Sequence, residues 1–216
     1  MSKHTQTLNE EIANSITHGL GILFCLFAIP AMILYAMRAS NEVMVWAVCV
    51  FGFGMATVYL SSTLFHAVQH TKTKDVLQIW DHVSIYLLIA GSYTPVVIKF
   101  TPHDTAKIFL TVMWSIVAIG SFLKLFHTGK YKVVSVILYL AMGWMAVFII
   151  KPLLANMPLS IFWWILAGGL AYTLGVIFYL WKKLTYSHAI WHVFVLTGTV
   201  THFFAVYNSI PINIKL

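Results

Sequence analysis

The sequence predicts an all-α integral membrane protein, a bundle of seven transmembrane helices. Three observations carry that prediction. Hydrophobic residues make up 60% of the 216 and charged residues only 9%, against about 25% charged in soluble chains, and the mean hydropathy is +0.86. Seven apolar runs use up nearly the whole chain, each near the roughly 20 residues that a helix needs to cross a hydrocarbon core. Backbone groups in lipid must pair internally, which leaves helices or a closed barrel. Barrel strands alternate over about 10 residues; these runs are about twice as long and do not alternate, so helices win.

The elements follow in order. Residues 1–15 form a short polar segment, in which Thr7 and Glu10 make a Thr-x-x-Glu capping box. Glu10 and Glu11 then fall in a first helical turn, where the helix dipole favours them. The runs are Thr17–Met37, Val43–His66, Leu77–Ile98, Ala106–Leu125, Val133–Ile150, Leu159–Trp181 and His188–Ile210. The breaks are Arg38–Glu42, His70–Asp75, Lys99–Asp104, Phe126–Lys132, Lys151–Pro158 and Lys182–Ser187. The first run has no small-residue cleavage site after it, so it reads as a retained helix rather than a signal peptide. The fourth run has Lys124 near its end, and six helices is the alternative count. Cys25 and Cys49 lie inside apolar runs and read as small buried residues, not as a disulfide framework. The whole of 1–216 reads as one membrane domain without internal repeats.

A net charge of +7 would suggest nucleic acid in a soluble protein. Here the basic residues sit between the runs, so they set topology instead. Eight lie on the N-terminal side (Lys3, Lys72, Lys74, Lys124, Lys130, Lys132, Lys182, Lys183) and five on the other (Arg38, Lys99, Lys107, Lys151, Lys215). That bias predicts a cytoplasmic N-terminus and an external C-terminus.

Five polar residues stand out within the runs: Ser62 and His66 at the end of the second, Asp81 at the start of the third, and His188 and His192 at the start of the seventh. Ionisable groups in membrane helices are costly and usually face the bundle interior. Seven spans of alternating direction put all five near one membrane face. Ser62 and His66 are four apart and share a helix face, as do His188 and His192. Two imidazoles on adjacent turns plus His66 make a His₃ set that leaves a fourth position open, the pattern of a catalytic zinc site. Zinc lowers the pKa of bound water to about 7. Asp81 is then the candidate general base or ligand-orienting group, and Ser62 the candidate hydrogen-bonding hydroxyl. The competing reading makes His188 and His192 packed or snorkelling imidazoles. Glu11, Asn14 and His18 share a face near the same side and either cap this site, pair with loop lysines or face solvent. His82 points about 100° from Asp81 on an ideal helix. His202 lies about 15 Å deeper than His192, and His70 and His127 read as loop or interfacial residues.

The residues from Glu11 to Gly19, from Ser62 to His66, from Trp80 to His82 and from Ser187 to His192 resemble the hemolysin III family, which groups with the progestin and adipoQ receptors. The resemblance covers nearly the whole chain. It implies a seven-helix bundle with a cytoplasmic N-terminus in a plasma membrane, here a bacterial inner membrane. It also implies zinc held by His66, His188 and His192 with Asp81 and Ser62 nearby, and a superfamily of membrane metal-dependent hydrolases whose receptor branch resembles a ceramide-cleaving lipid amide hydrolase. The expected activity is zinc-dependent hydrolysis of a lipid amide or ester, with membrane lipid as the partner and no nucleic acid. The alternatives are a non-catalytic sensor or receptor-like regulator with structural zinc, and a cytolytic protein.

Overall fold

A capping box starts the first helix. The Thr7 hydroxyl accepts from the Glu10 N–H at 3.3 Å, and Glu10 reaches back to the Thr7 N–H at 2.9 Å. In the computed structural model, which describes residues 6–128 and 130–211, α1 therefore spans Leu8–Arg38, nine residues ahead of the apolar run. The elements that follow are α2 Glu42–Ala67, α3 Thr71–Phe100, α4 His103–His127, α5 Lys132–Gly143, a 3₁₀ segment Met145–Ile149, α6 Ile150–Asn156, α7 Leu159–Leu180 and α8 Ser187–Ser209. Seven of the described spans are long and apolar enough to cross a membrane, one of them Val133–Asn156, which joins α5 to α6. The fourth span is present as α4, so the six-helix alternative is excluded. Lys3 and Lys215, both counted in the charge bias, lie outside the described residues.

The surface has the character of a protein solvated by lipid. Phe27, Trp46, Ile108 and Phe148 point outward with most of their area exposed, far more apolar surface than a soluble monomer presents. Inside, α2 packs between α1 and α3, α8 packs on α7 and closes against α1, and α4 flanks α3. One core cluster, around Met32, Phe51, Met55 and Tyr59, fills the space shared by α1, α2 and α8. A second, around Tyr86, Phe109, Met113 and Met142, joins α3, α4 and α5.

Helices α2 and α3 carry three of the candidate residues, Ser62, His66 and Asp81, and they approach closely at Gly54 and Gly91. A Cβ on Gly54 would sit 2.7 Å from the Leu87 carbonyl oxygen, and one on Gly91 would sit 3.1 Å from that of Val50. Small residues let membrane helices come this near, and short hydroxyls then bridge them. The Ser61 hydroxyl donates to Ser84 Oγ at 3.1 Å, and Ser84 donates to the Asp81 carbonyl at 2.7 Å.

The fifth span differs from the uninterrupted run expected. Its helix stops at Gly143 and restarts at Ile150. The Tyr93 hydroxyl from α3 enters the break, donating to the Gly143 carbonyl at 2.6 Å and accepting from the Ala146 N–H at 3.2 Å. Irregular backbone at membrane depth is tolerated where it lines a cavity and finds partners, and Gly143, Trp144 and Ala146 all line one.

Gly54→Val is expected to push α2 from α3 and cost about 1–3 kcal/mol, lowering the thermal midpoint in detergent by several degrees. Gly19→Ala is the control, since nothing lies within 4 Å of an added Cβ there. Equal midpoints for both variants would contradict the close-packing account.

Candidate metal centre

Helix polarity brings the histidines together. Helix α2 ends and α8 begins at the same face of the bundle, so His66, in the last turn of α2, meets His188 and His192 in the first turns of α8. The start of α8 is held from α1: Tyr186, left-handed at φ 58°, donates its N–H to Glu10 Oε1 at 3.2 Å. A non-glycine residue in that region is uncommon, and this bond holds the turn that aims His188. The ring centroids stand 5.1 Å apart for His66–His188, 5.2 Å for His66–His192 and 4.6 Å for His188–His192.

One nitrogen from each of the three rings lies within 4.8 Å of the other two, an arrangement able to hold a metal ion. A tetrahedral set with metal–nitrogen bonds of about 2.0–2.1 Å needs edges of roughly 3.3 Å, so a modest inward shift completes it. Buried polar atoms supply the test of fit. The Nε2 atoms of all three histidines are buried with no hydrogen-bond partner among the described residues. A buried unsatisfied donor or acceptor costs about 1–3 kcal/mol, and three neighbouring imidazole nitrogens left bare match the donor set zinc prefers.

Proton positions on two rings follow from their partners. The His66 Nδ1 lies 2.6 Å from Glu11 Oε2. An ionised carboxylate only accepts, so Nδ1 carries a proton, and in the neutral ring Nε2 carries the lone pair. The His192 Nδ1 lies 3.1 Å from the Asn14 carbonyl and 3.2 Å from Thr17 Oγ1. The Thr17 hydroxyl donates to the Ala13 and Asn14 carbonyls, so His192 Nδ1 is again the donor and its Nε2 is free to ligate.

A cavity of about 1240 Å³ reaches the centre. His66, His188, Asp81, His82 and Tyr179 line it near the histidines, with Lys74 and Lys183 toward the helix ends. Val147, Leu166 and Val206 line it further along the spans. Asp81 shares this cavity, but α3 starts at Thr71, six residues before the predicted run, so Asp81 sits about 15 Å along the helix rather than in its first turn. His82 lines the same cavity despite its different helical angle, its Nδ1–H donating to the Gln78 carbonyl at 2.7 Å. Ser62 and His192 are fully buried and outside the cavity wall; the Ser62 hydroxyl has no partner among the described residues.

The polar face of α1 is part of the site. Glu11 bridges His66 and Lys74, the latter at 2.9 Å, so it both caps the site and pairs with a lysine. His18 is buried and stacks on His192 with centroids 3.5 Å apart, its edge toward Tyr59. Both His18 ring nitrogens lack partners among the described residues. Thr17 was not singled out in the sequence, although it neighbours the Glu11, Asn14 and His18 stripe. His202 lines the same cavity further along α8, bonded to the Ile165 carbonyl at 3.2 Å. His70 sits exposed at the cap of α3, and His127 ends α4.

The family model described as haemolysin-III related matches residues 6–203. The chain belongs to the haemolysin-III-related family. It is 42% identical over 203 residues to Hemolysin-3 homolog of Bacillus subtilis (strain 168), covering 93% of this chain and 94% of the relative. It is 40% identical over 206 residues to Hemolysin-3 of Bacillus cereus, covering 95% and 94%. Monocyte to macrophage differentiation factor of Homo sapiens is 29% identical over 218 residues, covering 95% of this chain and 87% of the relative.

Ser62→Ala removes a buried hydroxyl that makes no hydrogen bond among the described residues, so it is expected to leave the thermal midpoint unchanged or raise it slightly. A loss above about 1 kcal/mol in unfolding measurements would show that the hydroxyl has a structural partner.

Proposed function

We propose that the protein is a zinc-dependent hydrolase of the bilayer that cleaves an amide or ester bond in a membrane lipid. The observation that carries this reading is the group of three buried Nε2 atoms, without a partner among the described residues, beside a cavity that also contains a carboxylate. His66, His188 and His192 would hold the zinc. Bound there, zinc would supply Lewis acidity, acidifying water and polarising a carbonyl. The residues of the chain do the rest. Asp81 takes up the proton released as water adds to the carbonyl and returns it to the departing nitrogen or oxygen. Ser62, one turn from His66 and behind the cavity wall, would offer its hydroxyl to a water beside that imidazole. The apolar part of the cavity takes the hydrocarbon chain, and its charged end takes the headgroup. The charge bias supports a cytoplasmic position for that end and an external C-terminus, and the membrane in this reading is the plasma membrane.

A second reading keeps the same three ligands and makes zinc structural, a lock between α2 and α8 in a sensor or regulator. A third rests on the names of the two Bacillus relatives, which suggest cytolysis.

Detergent-purified protein is expected to carry about one zinc per chain, and His66→Ala to lose zinc and turnover together. Asp81→Asn is expected to keep zinc and lose about 10²–10⁴-fold in turnover, read as fatty acid released from N-acyl and ester lipids in vesicles. Stoichiometric zinc retained by a His188→Ala, His192→Ala double variant would sink the metal assignment. Zinc-loaded wild type without turnover on the lipid panel would favour the structural-zinc reading. Vesicle leakage that persists after zinc is stripped would favour cytolysis.

A further inference from the structure

Two of the three histidines are oriented by one helix. Asn14 and Thr17 of α1 take the His192 Nδ1–H through neutral oxygens. Glu11, one turn earlier, takes the His66 Nδ1–H through a carboxylate oxygen at 2.6 Å. The other Glu11 oxygen is held by Lys74 of α3 at 2.9 Å. The same Lys74 ammonium donates to the carbonyls of Phe65 at 3.1 Å and Val68 at 3.3 Å, at the end of α2 beside His66. The carboxylate, its cation and the imidazole are thus joined across three helices, with the Glu11 side chain only 12% exposed.

We propose that Glu11, clamped by Lys74, is a positioning residue for the metal centre: it fixes the tautomer and ring angle of His66 so that Nε2 is presented to the ion. The inference rests on the metal reading above. The chemistry is that of a carboxylate–histidine–metal triad, in which the acceptor on the distal nitrogen sets both which nitrogen ligates and where it points. Without Glu11, nothing compels the proton to stay on Nδ1. The tautomer with Nε2 protonated cannot ligate through that atom, and the ring loses its strongest orienting contact. Asn14 does not replace Glu11. Its Nδ2, 3.4 Å from His66 Nδ1 and 3.1 Å from the Gln6 side-chain oxygen, is a donor and cannot accept the Nδ1–H. Lys74 acts at one remove. By occupying Oε1 it keeps Glu11 in register with His66, and by capping the end of α2 it keeps His66 in register with α8.

The test is zinc affinity by chelator competition on the full-length protein in detergent, beside the thermal midpoint of the metal-free form and the visible spectrum of the cobalt(II)-substituted form. Glu11→Ala is expected to weaken zinc binding about 10–100-fold and to alter the cobalt spectrum, with the metal-free midpoint little changed. Glu11→Gln retains an acceptor oxygen of the same reach and is expected to lose less than Glu11→Ala. Wild-type affinity and spectrum in Glu11→Ala would overturn the assignment. So would equal losses in both variants that merely track a fall in the metal-free midpoint, which is the behaviour of a structural ion pair. Wild type that binds no stoichiometric zinc is a different result and overturns the metal reading itself.

Discussion

A polar group within a bilayer has no water to turn to, so each one must find a partner inside the protein or be completed by something the protein binds. Many polar groups of this bundle take the first option, while some buried ones, Ser62 and His18 among them, have no partner among the described residues. Hydroxyls of Ser84, Thr94, Thr101 and Thr199 donate to carbonyls one turn back, Tyr93 satisfies the broken fifth span, and Lys124 donates to Ser135 between α4 and α5. Against that background, the Nε2 atoms of His66, His188 and His192 stand out. They are buried, grouped and without a partner among the described residues, while the distal nitrogens of His66 and His192 are bound to α1. The site is built as a ligand set is built, with one nitrogen fastened and the other left open.

That constraint organises the fold around α1. Its polar face carries Glu10 to the turn before α8, Glu11 to His66 and Lys74, and Asn14 and Thr17 to His192, while His18 covers the His192 ring. The rest of α1 is apolar, and Leu23, Leu26 and Phe27 are exposed on its outer face. A helix that would otherwise be the peripheral first span thus joins α2, α3 and α8 at their shared ends. The close approach of α2 and α3 at Gly54 and Gly91 sets the separation across which Asp81 and His66 share one cavity.

The spans were legible in the sequence because length and apolarity are local properties. Their ends were less so. Helices α1 and α3 continue past the hydrophobic runs into polar residues, drawn out by the Thr7 capping box and by cross-helix bonds to Glu11 and Lys74. The break at Gly143 was invisible because its partner, Tyr93, lies fifty residues away on another helix. That the three histidines group together was legible from parity and four-residue spacing, beside the family resemblance. Their fastening was not, since the Glu11–His66 contact joins residues 55 apart and depends on which helices are neighbours. The position of Asp81 along α3, and of Ser62 outside the cavity wall, likewise depends on helix ends and packing that no periodicity encodes.

X-ray absorption at the zinc edge of the purified protein tests the central claim most directly. A first shell of nitrogen and oxygen only, with the outer-shell scattering of three imidazoles, is the result this account requires. A shell containing sulfur from Cys25 or Cys49, or one fitted by fewer than two imidazoles, would contradict it.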